Sequence, residues 1–324
     1  MRPRSILRAS RAVANRRLKG LPTLFVASLM VTRRCNLRCD YCARNEFRNP
    51  ELTTAQWKSL MDEMALLGCL QVSLTGGEPL IRKDIGELLA HGKSRGFKVK
   101  LNTNGLLVPR HMDAVLLADS VTLSLDGPQA PHDMSRGAGS YEKVMAAARQ
   151  LRERGMPTRF YTVLSSANLA HLDELLRDAE ALDSQVFFQP GTATALGQDD
   201  TPNPLAPAAD DYHAAIDQLI AWKKAGRPIG NSTGALSYLR RWPDEAWQEC
   251  SWGLFCRVEE DGQLRTCGRD TQTERINAAE LGLVEALRRR PAPECASCWT
   301  AARVELHLIA QGEPSAILNY ARGG

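Results

Sequence analysis

The chain has 324 residues and a mass of 35.7 kDa, with 44% hydrophobic and 24% charged residues, an ordinary balance for a globular protein. The net charge of +4 is local, because seven bases (Arg2, Arg4, Arg8, Arg11, Arg16, Arg17, Lys19) stand in the first twenty residues, and 41 minus 7 leaves 34 bases against 37 acids elsewhere. That balance excludes a globally basic nucleic-acid binder, and no run approaches the ~18 consecutive apolar residues of a membrane span.

Residues 1–20 form a basic N-terminal segment in which Ile6, Leu7, Val13 and Leu18 interrupt the charges. It reads as a solvated terminus, with a peripheral membrane or anionic-partner contact through residues 1–20 as the alternative. The following LPTLFVASLMV mimics the apolar part of a signal peptide, but no small-residue cleavage site follows, so it reads as a buried strand. Short runs rich in Val, Leu and Phe predict strands at 24–31, 71–74, 98–102, 121–125, 160–164 and 186–188. Stripes at helical spacing lie between them. Trp57, Leu60, Met61, Met64 and Leu67 form one, with Thr53 or Thr54 as its N-cap and Gly68 as its stop. Tyr141, Val144, Met145, Ala148 and Leu151 form the next, capped by Ser140 and ended by Gly155. Two more follow the patterns Leu172, Leu175, Leu176, Ala179, Leu182 and Tyr212, Ala215, Ile216, Leu219, Trp222. Six strand-then-helix units predict a parallel α/β sheet, either a partial barrel or a doubly wound sheet. Residues 190–210 are long for a loop and are expected to form a lid. The texture changes near 226–230, so the expected division is a basic segment 1–20, an α/β unit 21–228 and a cysteine-rich region 229–324.

The nine cysteines cluster at 35, 39 and 42 and again at 250, 256, 267, 295 and 298, with Cys69 alone. Clustering in a chain without a signal peptide favours metal ligation over disulfides and fits a cytoplasmic location. Cys69 reads as a small buried apolar residue. The six histidines show no metal-binding spacing. Polar features recur at the C-terminal ends of the predicted strands: the Cys35–Cys42 loop, Thr75-Gly76-Gly77-Glu78-Pro79-Leu80, Asn102-Thr103-Asn104-Gly105 and Ser124-Leu125-Asp126-Gly127. In parallel α/β barrels that rim carries the active site. Three thiols in one loop leave a fourth metal ligand missing, and a zinc knuckle completed from a distance is one alternative.

The spacing Cys35-x3-Cys39-x2-Cys42, with Tyr41 just before the last cysteine and the run Gly76-Gly77-Glu78-Pro79 downstream, resembles the radical S-adenosylmethionine (SAM) superfamily. The resemblance covers about residues 22–225 and implies a partial (βα)6 barrel, settling the topology. It further implies that three thiolates hold three irons of a 4Fe–4S cluster, while SAM binds the fourth iron and is reductively cleaved to a 5′-deoxyadenosyl radical. It places Gly76, Gly77, Glu78 and Pro79 at the SAM amino group, and Tyr41 at the adenine. Asn104, Ser124 and Asp126 fall at the ribose and methionine, and Arg136 at the SAM carboxylate. A flavodoxin- or ferredoxin-like electron donor is implied as a partner.

The segment from Cys250 through Cys267, with an Asp261-Gly262 hairpin turn, and the later Cys295-x2-Cys298 are similar to the auxiliary-cluster modules called SPASM and twitch. That similarity implies one auxiliary 4Fe–4S cluster on Cys250, Cys267, Cys295 and Cys298, with Cys256 as a fifth thiol able to replace one of them. A four-cysteine zinc ribbon is the alternative. The expected activity is hydrogen abstraction from an unidentified substrate, a small molecule or lipid ahead of a peptide, because only 34 residues precede Cys35. A peptide-modifying maturase and a non-catalytic iron–sulfur or zinc scaffold are the alternatives.

Overall fold

Strands that are apolar on one side and polar on the other build the centre of the molecule. A computed structural model describes residues 20–42, 50–191, 193, 202–244, 252–265, 275–291 and 298–321. Strands β1 (Val26–Met30), β2 (Gln71–Thr75), β3 (Lys98–Thr103), β4 (Ser120–Ser124), β5 (Thr158–Leu164) and β6 (Gln185–Pro190) run parallel in sequential order. Each lies within a few residues of its sequence expectation. Helices α1 (Thr54–Leu66), α2 (Ile85–Ser94), α3 (Gln129–Arg136), α4 (Ser140–Glu153), α5 (Leu172–Ala181) and α6 (Ala209–Lys224) occur in the connections or follow β6. This is the partial-barrel order of α/β units.

The register defines two faces. Val72 pairs with Val99 and Leu74 with Leu101, all fully buried, and a Cβ on Gly92 of α2 would touch the Val99 and Val72 side chains. That face is therefore the helix side. The opposite face carries Ser28, Ser73, Lys100, Thr122 and Arg159, the polar lining of the lumen. On α1, Trp57, Leu60, Met61 and Met64 are buried as the stripe requires, and truncating any one of them to Ala costs about 2–5 kcal/mol.

Thr53 caps α1 through a reciprocal capping box with Gln56, as one of the two residues expected to do so. Ser140 does not act as expected, because it is the first residue of α4 and Gly139 precedes it at φ +73°. The orphan amides are taken instead by Asp133, which accepts from Gly139 N at 2.9 Å and Tyr141 N at 2.8 Å. A preceding helix thus supplies the cap of the next.

Strand β7 (Phe255–Val258) pairs parallel with β1 and antiparallel with β8 (Leu264–Arg265), so the sheet has eight strands among the described residues. The Asp261-Gly262 turn joins them, with Gly262 at φ +89°, where a side chain is strained. The C-terminal hairpin is therefore laid directly against the strand that leads into the cysteine loop. No helix among the described residues is long and apolar enough to cross a membrane. Residues 1–19 and most of 192–201 lie outside the described residues.

Candidate active site

The chain leaves the sheet at Val31, whose N–H still donates to Thr75 O at 2.9 Å. Buried Arg82 holds this exit: Nη1 donates to Val31 O at 2.9 Å, both terminal nitrogens reach Leu52 O at 3.2 Å, and Asp84 pairs with the guanidinium at 2.7 Å. Beyond it the cysteine loop rests on the glycine turn after β2. Gly77 N donates to Thr32 O at 2.7 Å and Glu78 N to Arg34 O at 2.8 Å. A Cβ at Gly76 would lie 2.3 Å from Thr32 O, and one at Gly77 would lie 2.4 Å from Arg34 O. The paired glycines are needed because backbone meets backbone here.

Cys35, Cys39 and Cys42 are free and partly exposed on that loop. Burial pushes the Cys39 thiol up to about 11, opposed by the nearby Arg136 charge and helped by Cys42, Asp126 and Cys35. Burial likewise raises Cys35, and Cys42 adds to the rise. The Cys39 thiol lies close enough to feel both of the others, and among the described residues no three potential ligands converge on a single ion. A sulfur-only donor set spread over one loop fits a multi-iron cluster, whose thiols each take a different iron.

Glu78 is fully buried and accepts from Leu80 N at 3.0 Å, Thr103 Oγ1 at 2.8 Å and Asn104 N at 2.8 Å. Burial raises its pKa to about 7 even though those donors favour the carboxylate. Pro79 follows, buried at the start of a single 3-10 turn. Asn104 is nearly buried and turns its amide to Asn36 Oδ1 at 2.8 Å, with Cys35 Sγ at 3.9 Å. A second knot lies across the rim. Tyr41 donates to Asp126 at 2.7 Å, and Arg136, on the last turn of α3, meets the same carboxylate at 2.5 Å and also bonds the Tyr41 hydroxyl. Burial works against the Asp126 charge, yet Arg136 and Tyr41 hold its pKa below the usual range. Burial also opposes the Arg136 charge, and Asp126 keeps the guanidinium protonated. Burial beside that carboxylate raises Tyr41. His132, pushed down to about 4 by burial and Arg136, accepts from Asp126 N at 3.1 Å. Ser124 ends β4 on the inner face, in register with Tyr161.

Of the expected residues, Tyr41, Glu78, Asn104, Asp126 and Arg136 thus gather round the cysteine loop, and several bond to each other. The sequence reading placed Thr103 on the rim without a role of its own, and it missed Asn36, Arg82 and Asn168. Asn168 is buried and donates to Asp126 O and Val163 O, each at 2.7 Å, and Asn36 alone carries a signal, its place beside Cys35.

In the second cysteine group, Cys250, Cys267 and Cys295 lie outside the described residues. Cys256 is buried on the helix side of β7 in register with Ala27, and burial pushes its thiol up to about 11. Cys298 is half-buried, and the chain beyond it is anchored to the sheet. Gln189 of β6 donates to Trp299 O at 2.5 Å and accepts from Ala301 N at 2.7 Å. Arg33, two residues before Cys35, meets Glu260 at 2.8 Å and Glu259 at 3.8 Å, linking the cysteine loop to the hairpin.

The model of the radical SAM superfamily matches residues 29–179. An AdoMet-dependent heme synthase of Methanosarcina barkeri is 30% identical over 267 residues, which cover 74% of this chain and 75% of that one. A PqqA peptide cyclase of Rhodopseudomonas palustris is 36% identical over 174 residues, covering 51% and 45%. The crystal structure of Streptococcus suis SuiB bound to S-adenosylmethionine shares the fold with a TM-score of 0.70 at 16% identity, over 88% of this chain and 71% of SuiB; SuiB bound to the precursor peptide SuiA gives 0.69.

Proposed function

The chain is an enzyme of the radical SAM superfamily, and from that premise we propose that it uses SAM-derived radical chemistry to modify a peptide substrate. Membership implies a 4Fe–4S cluster and SAM. When bound, the cluster supplies one electron that splits SAM into methionine and a 5′-deoxyadenosyl radical able to take a hydrogen atom from the substrate. In our reading Cys35, Cys39 and Cys42 hold three irons and leave the fourth for SAM. The observation that carries this is the seating of the cysteine loop on Gly76 and Gly77, which leaves no room for a Cβ and sets Cys35 beside Glu78 and Asn104.

The remaining roles belong to the chain itself. Glu78, held by three donors that favour its carboxylate, is poised to accept from the SAM ammonium. Asn104 orients Asn36 beside Cys35. Arg136 and Asp126 form a rigid charge pair, and a SAM carboxylate arriving there competes with Asp126 for the guanidinium. Arg82 and the glycine turn keep water-exposed loop movement small.

We place an auxiliary 4Fe–4S cluster on Cys250, Cys267, Cys295 and Cys298. Cys256 belongs to the apolar packing of β7 in this scheme, which suits its full burial. The expectation that set a small molecule or lipid ahead of a peptide is revised, because matched relatives and fold neighbours include enzymes named for peptides. A second reading, a tetrapyrrole substrate, is supported by the heme synthase match across three quarters of both chains. Anaerobic incubation with SAM, dithionite and either a peptide fraction or a porphyrin set distinguishes them. Substrate-dependent deoxyadenosine release with a new peptide mass supports the first reading; release with porphyrin alone transfers the assignment to the second.

A further inference from the structure

The three cysteines of the rim stand on a segment that begins beyond Val31 and ends at Leu52, just before the Thr53 cap of α1. Its two ends are tied to each other by Glu51, which accepts from Thr32 Oγ1 and, at 2.9 Å each, from Arg34 Nε and Nη2. They are also tied to one distant residue. Glu260, in the turn between β7 and β8, meets Arg33 Nε at 2.8 Å with its carboxylate and accepts from Leu52 N at 2.7 Å with its backbone carbonyl. A single hairpin residue therefore holds both ends of the segment that carries Cys35, Cys39 and Cys42.

Glu259 and Glu260 are both buried, and a buried carboxylate is costly unless a cation meets it. Glu259 is met from its own hairpin by Arg257 Nε at 2.6 Å, with Arg33 Nη2 at 3.8 Å. For Glu260 the cation at 2.8 Å comes from the cysteine segment. Burial disfavours the Glu260 charge, and the Arg33 charge favours it. The backbone of Arg33 is fixed as well, since a Cβ on Gly77 would lie 2.5 Å from Arg33 O. Arg33 thus has its main chain against the glycine turn and its side chain against the hairpin, two residues before Cys35.

We propose that Glu260 is a positioning residue for SAM cleavage: with Arg33 it forms a clasp by which the C-terminal hairpin closes the cysteine segment and sets the charge beside its cluster site. The inference rests on the radical SAM reading of the rim and adds a control to it. The readiness of the loop cluster to take its electron depends on the hairpin as well as on the barrel. Removing Arg33 or the Glu260 charge alters the net charge beside the loop by one unit, in opposite senses, and removing both leaves it unchanged.

The test is a redox titration of reconstituted full-length protein, followed by electron paramagnetic resonance, with the loop cluster recognised by the change that added SAM makes in its signal. At a fixed potential, Arg33→Met is expected to lower the reduced-to-oxidised ratio of that cluster about tenfold, equal to about 59 mV for one electron. Glu260→Gln is expected to raise it by about the same factor, and the double variant R33M/E260Q to return within about twofold of wild type. Shifts of one sign in both single variants, as mere loosening produces, overturn the clasp. So does a shift under about twofold in either, or a double variant that stays displaced. Cluster-free protein supplies a second measurement that needs no reconstitution. Alkylation of Cys39 by N-ethylmaleimide, read by peptide mass spectrometry, is expected to run about tenfold faster in R33M and in E260Q, and the wild-type rate in both overturns the clasp. Deoxyadenosine formation by wild type is read separately: its absence rejects the radical SAM reading, whereas its presence without the opposed shifts rejects the clasp alone.

Discussion

Gly77→Ala is the most informative single change at the rim. The added methyl would lie 2.4 Å from Arg34 O, 2.5 Å from Arg33 O and 2.8 Å from Arg34 C. An ordinary carbon–oxygen contact is about 1 Å longer, and none of these atoms is the end of a flexible side chain. The loop must therefore lift, stretching the bonds from Gly77 N to Thr32 O and from Glu78 N to Arg34 O. Losing two such bonds at about 1 kcal/mol each, with overpacking of about 1–3 kcal/mol, gives a destabilisation of roughly 3–5 kcal/mol. Function is expected to suffer more, because displacement by about 1 Å in a positioned site costs on the order of 100-fold in rate. Thermal unfolding and deoxyadenosine formation per loop cluster measure the two effects. A G77A protein that melts like wild type and cleaves SAM at the wild-type rate refutes the claim that this contact seats the loop.

Asp126→Ala leaves the Arg136 guanidinium buried without its carboxylate and is expected to cost about 3–5 kcal/mol, measurable by urea unfolding. Because burial raises the folded-state pKa of Glu78 from 4.5 to about 7, its contribution to stability is full below about pH 4.5 and is lost as pH rises through about 7. In cluster-free protein this loss amounts to up to about 3 kcal/mol and is absent in Glu78→Gln; an identical pH slope in the two proteins contradicts it. Cys256→Ala is expected to leave iron at about eight atoms per chain while lowering stability by about 1–2 kcal/mol. A drop toward four iron atoms makes Cys256 a ligand after all.

Much of the fold was readable because each strand carries its own signal. Val99 and Leu101 are apolar for the helices, while Lys100 and Asn102 alternate with them and face the lumen. The stripe from Trp57 to Leu67 and the Thr53 cap were legible for the same local reason. Contacts between distant segments were not. Arg82 looks like a surface arginine until the chain brings Val31 and Leu52 to it, and Gln189 gains its role only when Trp299 arrives. Pairing of β7 with β1 joins residues more than 200 positions apart through backbone groups that every residue possesses. Ser140 misled because a serine before an apolar stripe is a sound cap signal, yet Asp133 from the preceding helix reaches the amides first. At the rim, residue types suggested partners for SAM, and the structure adds that Tyr41, Asp126 and Arg136 also serve one another.

The central claim is that the loop of Cys35, Cys39 and Cys42 supports reductive cleavage of SAM, and product analysis tests it most directly. Oxygen-free reconstituted protein treated with dithionite is expected to release methionine and 5′-deoxyadenosine in equal amounts, and Cys39→Ala is expected to release neither. Protein that carries its full iron and binds SAM, yet yields no deoxyadenosine under those conditions, contradicts the account.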